Sequence, residues 1–256
     1  MTDARALRTT ALRALVCLDL TNLEEDCDAA AIDALCARAQ TPHGSVAAVC
    51  IWPRFVAQAK KALARTGIRV ATVVNFPSGD APPAVAADEA REALAQGADE
   101  IDMVVPWRAL KAGDADAVAE AVRVVKAACR DATLKAILET GALADAALIG
   151  LAAERALEGG VDFLKTSTGK VEVNATPEAA EILLAAIARR GGTAGFKAAG
   201  GVRSVEDAGI YLGLADRIMG SGWAGPKHFR FGASGLINAL LAALDGSEAP
   251  EDGDGY

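Results

Sequence analysis

Short apolar runs alternate with amphipathic stretches along this chain, one pair roughly every 25 to 30 residues. The runs are Ala14–Leu20, Val46–Trp52, Ile68–Val74, Glu100–Val105, Thr133–Glu139, the stretch that opens with Phe163-Leu164-Lys165, Gly195–Ala199 and Arg217–Gly220. Each is too short for a helix and too apolar for a surface loop, so each reads as a buried strand. Between them the spacing turns helical. Ile32, Leu35 and Ala39 share one face of Asp28–Ala39, and Pro177 suits the first turn of a helix reaching Arg190. Further helices are expected over 53–65, Ala84–Ala95, Asp116–Cys129, Asp145–Glu158, Val205–Ala215 and Ser234–Leu244. Eight such units in 256 residues match the length of a closed (β/α)8 barrel, about 250 residues. The expectation is therefore an α/β protein: one (β/α)8 TIM barrel domain over 1–256, preceded by a short helix from Thr2 to Leu12. The acidic, Gly-rich tail 246–256 is expected to be mobile.

Composition narrows the function. The net charge of −8 is spread along the chain, with no basic block to grip nucleic acid. No GxGxxG follows the first strand, which weighs against a dinucleotide cofactor. Five cysteines form no CxxC pair and the two histidines, His43 and His228, lie far apart, so no metal-ligand spacing emerges. Reduced thiols fit a cytosolic protein. The N-terminus opens no apolar signal core, and no apolar run reaches membrane-spanning length. A soluble cytoplasmic enzyme without metal or cofactor is the expected class, with small molecules rather than nucleic acid or membrane as partners.

In such barrels chemistry sits at the C-terminal ends of the strands. The charged residues at or within those ends are Asp19, Asp102, Lys135, Glu139, Lys165 and Lys197. Alternation of side chains puts Phe163, Lys165 and Ser167 on one face and Leu164 on the other. It sets Lys197 against Phe196, and Asp102 against Ile101 and Met103, so all three charges point toward the barrel axis. Two inward lysines on strands about 4.8 Å apart bring like charges together, which lowers a lysine pKa. At the usual value of about 10.4, fewer than roughly one lysine in a thousand is neutral at pH 7. A depressed value supplies the free amine that attacks a carbonyl and forms a Schiff base. Either lysine could be that amine. The competing possibility is structural: both lysines pair with Asp102, Asp19 or Glu139 in an ion network. Cys50, near the end of the second strand, is either an inert buried thiol or one open to aldehydes.

Three glycine-containing turns follow the last strands: Thr168-Gly169-Lys170, Gly200-Gly201-Val202-Arg203 and Phe231-Gly232-Ala233-Ser234-Gly235. Glycines let backbone amides approach an oxyanion, and Lys170 and Arg203 add charge. Barrels of this kind often hold phosphate there.

These residues resemble the motifs of the deoxyribose-phosphate aldolase family. The motifs are Lys165-Thr166-Ser167-Thr168-Gly169-Lys170, Gly195-Phe196-Lys197-Ala198-Ala199-Gly200-Gly201-Val202-Arg203, Glu100-Ile101-Asp102-Met103-Val104-Val105-Pro106 and Phe231-Gly232-Ala233-Ser234. The resemblance runs from Leu18 to Tyr256 and implies a metal-free class I aldolase. Such enzymes cleave 2-deoxy-D-ribose 5-phosphate reversibly to acetaldehyde and D-glyceraldehyde 3-phosphate. It implies Lys165 as the Schiff-base lysine, Lys197 as the lysine that lowers its pKa, and Asp102 as the acid/base residue acting with water. Gly169, Lys170, Gly200, Gly201, Val202, Arg203, Gly232 and Ser234 resemble the phosphate pocket, and Tyr256 matches a terminal tyrosine that assists proton exchange. A homodimer is implied as well. Ala198, Trp107 and Gly235 depart from the residues common in the family: proline, tyrosine and serine respectively. One rival is a transaldolase-like Schiff-base enzyme on the same fold; a rival of another class is a non-catalytic sugar-phosphate-binding barrel.

Overall fold

The computed structural model describes residues 4–247. Eight parallel strands close into a barrel in sequence order, the first pairing with the last. They are β1 (Leu18–Asn22), β2 (Ala48–Ile51), β3 (Arg69–Val74), β4 (Glu100–Val104), β5 (Thr133–Ile137), β6 (Phe163–Lys165), β7 (Gly195–Ala199) and β8 (Phe229–Ala233). The connecting helices include Ala29–Arg38, Pro83–Ala95, Asp116–Cys129, Ala146–Glu158, Pro177–Arg189 and Val205–Met219, and Leu236–Asp245 follows β8. The architecture is the (β/α)8 barrel that the periodicity implies.

Most boundaries shift by one or two residues, and two differences from the sequence expectation go further. The leading helix runs Ala4–Val16, so Ala14 and Leu15 belong to its buried face rather than to β1. That face packs on the helices Val205–Met219 and Leu236–Asp245, and the apolar content of residues 14–16 serves this contact. The larger correction concerns the eighth strand. Arg217–Gly220 is not a strand: Arg217 to Met219 form the last turn of a 15-residue helix, which Gly220 ends at φ +94°. The true β8 hides its alternation behind residues that read as a turn. Phe229 and Phe231 face the helices, while Arg230 and Gly232 face the barrel axis. Gly232 thus lies within a strand, paired in register with Ala199 and Asp19. A small antiparallel pair, Gln40–Thr41 with Gly44–Ser45, also precedes β2.

The barrel has two apolar regions. The larger lies between strands and helices and takes the outward residues of each strand, among them Leu18, Leu20, Ile101, Met103, Leu134, Leu164, Phe196 and Phe231. Burying each such side chain contributes about 1.5–3 kcal/mol. The smaller lies inside the barrel: Ala48, Cys50, Ala71 and Val73 from β2 and β3, closed by Leu23. Much of the remaining interior is charged, with the Phe163 ring packed against Gly195 beside it. Asp19, Glu100, Asp102, Lys135, Lys165, Lys197 and Arg230 are all at most 5% exposed. Bulky branched side chains usually fill this space, so the substitution marks where the chain departs from packing alone.

Candidate active site

Strand alternation aims each of these charges inward, and the barrel register then sorts them. Asp102 on β4 lies opposite Lys135 on β5, Lys165 on β6 opposite Lys197 on β7, and Lys197 opposite Arg230 on β8. Asp102 is the hub. One of its oxygens, Oδ2, accepts from Lys165 Nζ at 2.9 Å and from Lys197 Nζ at 2.8 Å; the other, Oδ1, accepts from Lys135 Nζ at 2.7 Å. Lys197 also donates to Asp19 Oδ2 at 2.6 Å. Lys135 reaches Glu100 Oε2 at 2.6 Å. Arg230 closes the circuit, donating to Asp19 Oδ1 at 2.6 Å and to both oxygens of Glu100. The lysine pair and the ion network are therefore one object.

The members differ in how well they are paired. Burial would discharge Lys197, but Asp102 and Asp19 overcome it and hold its pKa well above the usual lysine value. Burial acts likewise on Lys135, and Asp102 and Glu100 prevail there too. Lys165 has a single carboxylate oxygen, already shared with Lys197. Burial is the largest influence on it, Asp102 opposes, Lys197 adds repulsion, and its pKa comes out lowered. Lys197 thus acts in the direction expected from sequence, but desolvation outranks it. Burial would raise Asp102; Lys135, Lys165 and Lys197 instead hold it well below the usual carboxylate range, so it stays ionised. Cys50 is fully buried, its thiol 4.0 Å from Asp102 Oδ2, and burial pushes its pKa up, which keeps it a thiol.

The turns that follow β6, β7 and β8 meet at the strands' C-terminal ends. Gly169 and Lys170 follow β6; Gly200, Gly201, Val202 and Arg203 follow β7; Gly232 lies near the end of β8 and Ser234 follows it. The Gly200 amide donates to the Gly232 carbonyl at 3.2 Å, tying the second and third turns together. Gly200 is required as glycine: its φ is +77° and a Cβ would meet the Asn174 side chain at 2.7 Å. The β7 turn leads into a helix closed by a capping box between Ser204 and Asp207, whose carboxylate also accepts from the Arg203 amide at 3.0 Å. The helix after β8 has no side-chain cap and no acid in its first turn, which leaves its N-terminal dipole facing the turns.

Glu139, the residue after Leu138 at the end of the β5 segment, does not join the ion network. It adopts a left-handed conformation, φ +55°, and accepts from Thr168 Oγ1 at 2.6 Å and the Thr168 amide at 3.1 Å. Thr168 Oγ1 in turn accepts from the Lys170 amide at 3.0 Å. Burial outweighs these bonds and raises the Glu139 pKa. Ser167 Oγ is buried without a hydrogen-bond partner.

The structure thus brings Asp102, Lys165 and Lys197 into direct contact and gathers the three turns around one end of the barrel. Tyr256 lies outside the described residues. Sequence reasoning missed the roles of Glu100 and Arg230 and left Lys135 unassigned. Glu100 was legible as the inward residue two before Asp102; Arg230 was hidden by the misplaced eighth strand. Among the described residues no cluster of His, Cys, Asp and Glu could hold a metal ion, and no helix is long and apolar enough to cross a membrane. A cavity of about 470 Å³ opens at the opposite, N-terminal ends of the strands, lined by Val46, Arg69, Glu100, Phe163 and Arg230. The uncharged-amine candidate lies away from it, at the C-terminal ends.

Comparison with known proteins shows the family. Residues 13–229 match the DeoC/LacD family of aldolases. The chain is 53% identical over 251 residues to a deoxyribose-phosphate aldolase from Agrobacterium fabrum, covering 97% of each protein. Among solved structures, a protein from Toxoplasma gondii ME49 assigned as a deoxyribose-phosphate aldolase superposes with a TM-score of 0.86 at 26% identity, covering 97% of this chain and 99% of that one. The tetrameric deoxyribose phosphate aldolase from Aeropyrum pernix gives 0.74 at 26% identity over 94% and 97%. With this match spanning the barrel and the charged interior, the chain belongs to the DeoC/LacD aldolase family and is an aldolase, a carbon–carbon lyase.

Proposed function

We propose that this enzyme is a class I aldolase that cleaves 2-deoxy-D-ribose 5-phosphate reversibly to acetaldehyde and D-glyceraldehyde 3-phosphate through a Schiff base on Lys165. The observation that carries this is the unequal pairing of the interior lysines. Lys135 and Lys197 each have two carboxylates at hydrogen-bond distance and keep their protons, whereas Lys165 has one shared oxygen and a lowered pKa. A neutral amine at the C-terminal end of β6 is placed to attack the aldehyde carbon C1 of the open-chain sugar.

The chemistry follows from the neighbours. Attack gives a carbinolamine, and loss of water leaves an iminium. Asp102, ionised and 2.9 Å from Lys165 Nζ, takes the proton from the substrate's C3 hydroxyl through a water. The C2–C3 bond then breaks, its electrons passing into the iminium to leave an enamine, and glyceraldehyde 3-phosphate departs. Protonation at C2 and hydrolysis release acetaldehyde and the free amine. Lys197 stays charged throughout, repelling a proton from Lys165 and holding Asp102 in place.

The phosphate is proposed to sit among Gly169, Lys170, Gly200, Gly201, Val202, Arg203, Gly232 and Ser234, with the uncapped helix N-terminus after β8 adding a favourable dipole. Tyr256 is proposed to assist proton exchange at the enamine carbon; its deletion should slow that exchange more than cleavage. A homodimer and a cytoplasmic location complete the proposal, the first testable by light scattering. The decisive experiment is reduction with borohydride in the presence of substrate, followed by digestion and mass spectrometry. An adduct on Lys165 is expected, with turnover unaffected by chelators. An adduct elsewhere, or none, defeats the mechanism.

A further inference from the structure

The interior network carries an odd count. Three carboxylates, Asp19, Glu100 and Asp102, face four cations, Lys135, Lys165, Lys197 and Arg230. Every carboxylate bridges at least two cations, and every cation except Lys165 bridges at least two carboxylates. The fully protonated network buries one positive charge in excess inside the barrel. Losing one proton restores neutrality, and Lys165 holds its proton by the fewest contacts. The other buried carboxylate, Glu139, bonds Thr168 and forms no ion pair among the described residues. On this basis the free amine of Lys165 is a property of the whole network, not of Lys197 alone.

We propose that Glu100 and Arg230, at the opposite end of the barrel from the substrate turns, are positioning residues that set the ionisation of Lys165 through Lys135 and Asp102. The path is continuous. Arg230 holds Glu100 at 2.8 Å, Glu100 holds Lys135 at 2.6 Å, Lys135 holds Asp102 at 2.7 Å, and Asp102 holds Lys165 at 2.9 Å. The pair sits apart from the substrate: Glu100 and Arg230 line the cavity at the N-terminal ends of the strands. There they share surroundings with Arg69, Asp99, Asp131 and Lys227. Lys165 itself is faced by Asp102 from β4, Lys197 from β7, Cys50 from β2 and Glu139 after β5. None of these four groups is altered by a change at Glu100 or Arg230.

Opposite signs make the proposal testable. In Glu100→Gln two carboxylates face three permanent cations, and a proton on Lys165 becomes costlier. In Arg230→Gln three carboxylates face two such cations, and Lys165 keeps its proton to higher pH. Glu100 precedes Asp102 by two strand residues, which places it roughly 9 Å from the amine. At the effective dielectric of protein sites, one charge at that distance shifts a pKa by about one unit.

The inference rests on Lys165 as the Schiff-base amine. The experiment is the pH dependence of kcat/KM for sugar-phosphate cleavage, together with reductive trapping on Lys165, in both single variants and in the double variant. The acid limb should move down by about one pH unit in Glu100→Gln and up by about one in Arg230→Gln. It should return to within about 0.3 unit of the unaltered enzyme in the double variant and in Arg230→Lys, which preserve the charge count. A purely structural pair would lower thermal stability and leave the limb in place, and that result overturns the proposal, as do shifts of the same sign. Glu100→Gln is close to isosteric and decides the matter alone if Arg230→Gln does not fold. An unaltered enzyme that traps no adduct on Lys165 defeats the Schiff-base proposal instead, so the two failures are distinct.

Discussion

Replacing Lys197 with methionine removes one charge from the centre of the site while keeping most of its buried stem. Lys165 and Lys197 donate to the same Asp102 oxygen at 2.9 and 2.8 Å, which sets their ammonium nitrogens roughly 5 Å apart. At an effective dielectric near 20, like charges at that separation repel by about 3 kcal/mol, equivalent to about two pKa units. Without Lys197 the network holds three carboxylates and three cations, so Lys165 has no surplus to shed and its pKa rises. Below both values the free-amine fraction falls about 100-fold, and kcat/KM should fall with it. Neither carboxylate is stranded: Asp19 retains Arg230 at 2.6 Å and Asp102 retains Lys135 at 2.7 Å, so the variant should fold. The assay is kcat/KM for cleavage from pH 5 to 10. The acid limb should move up by about two units, with activity recovering toward high pH. A loss of equal size at every pH would refute this account, because it would place Lys197 in substrate contact or proton transfer instead of in the electrostatics of Lys165.

Three further predictions come from neighbouring contacts. Asp102→Asn leaves three buried lysines around a neutral amide and should cost on the order of 3–5 kcal/mol at neutral pH. Because the folded-state pKa of Asp102 lies below its unfolded value, its stabilisation is complete above about pH 4 and is lost as pH falls through the folded value; denaturant titrations below pH 4 should show a shallower acid slope in the variant. Glu139→Ala removes the acceptor that fixes Thr168 and, through it, the Lys170 amide. It should raise KM for the phosphorylated sugar about tenfold, the worth of one strong hydrogen bond, while trapping on Lys165 at saturating substrate stays near normal; Glu139→Gln should recover most of the loss. Gly232→Ala would set a Cβ 2.9 Å from Lys197 Cε, a carbon pinned by two carboxylates. Turnover should fall at least tenfold with the circular dichroism spectrum unchanged.

The parts of this enzyme that sequence makes legible are those governed by local periodicity. Alternation within Glu100–Val104 and Gly195–Ala199 aims Asp102 and Lys197 inward whatever surrounds them, and eight repeats imply closure. What it leaves hidden depends on closure itself. Arg230 sits between two phenylalanines and a glycine, and its apolar neighbours give β8 its outward face. Yet the five-residue strand is short, and the helix end at Arg217–Met219 offers an equally apolar candidate nearby. Only when β8 pairs with both β7 and β1 does Arg230 meet Asp19 and, across the barrel, Glu100. The same limit applies to the lysines. From sequence, two inward lysines on adjacent strands are an anomaly that either catalysis or ion pairing resolves. In the closed barrel the two readings are compatible, since unequal pairing is what sets Lys165, the amine proposed to react, apart from Lys197. Asp102 and Asp19 hold Lys197 charged, the shared oxygen leaves Lys165 the least supported, and burial presses on the group with the weakest hold. A lysine's chemistry in such a core is therefore decided by how many carboxylates the other strands deliver, a quantity that no single strand contains.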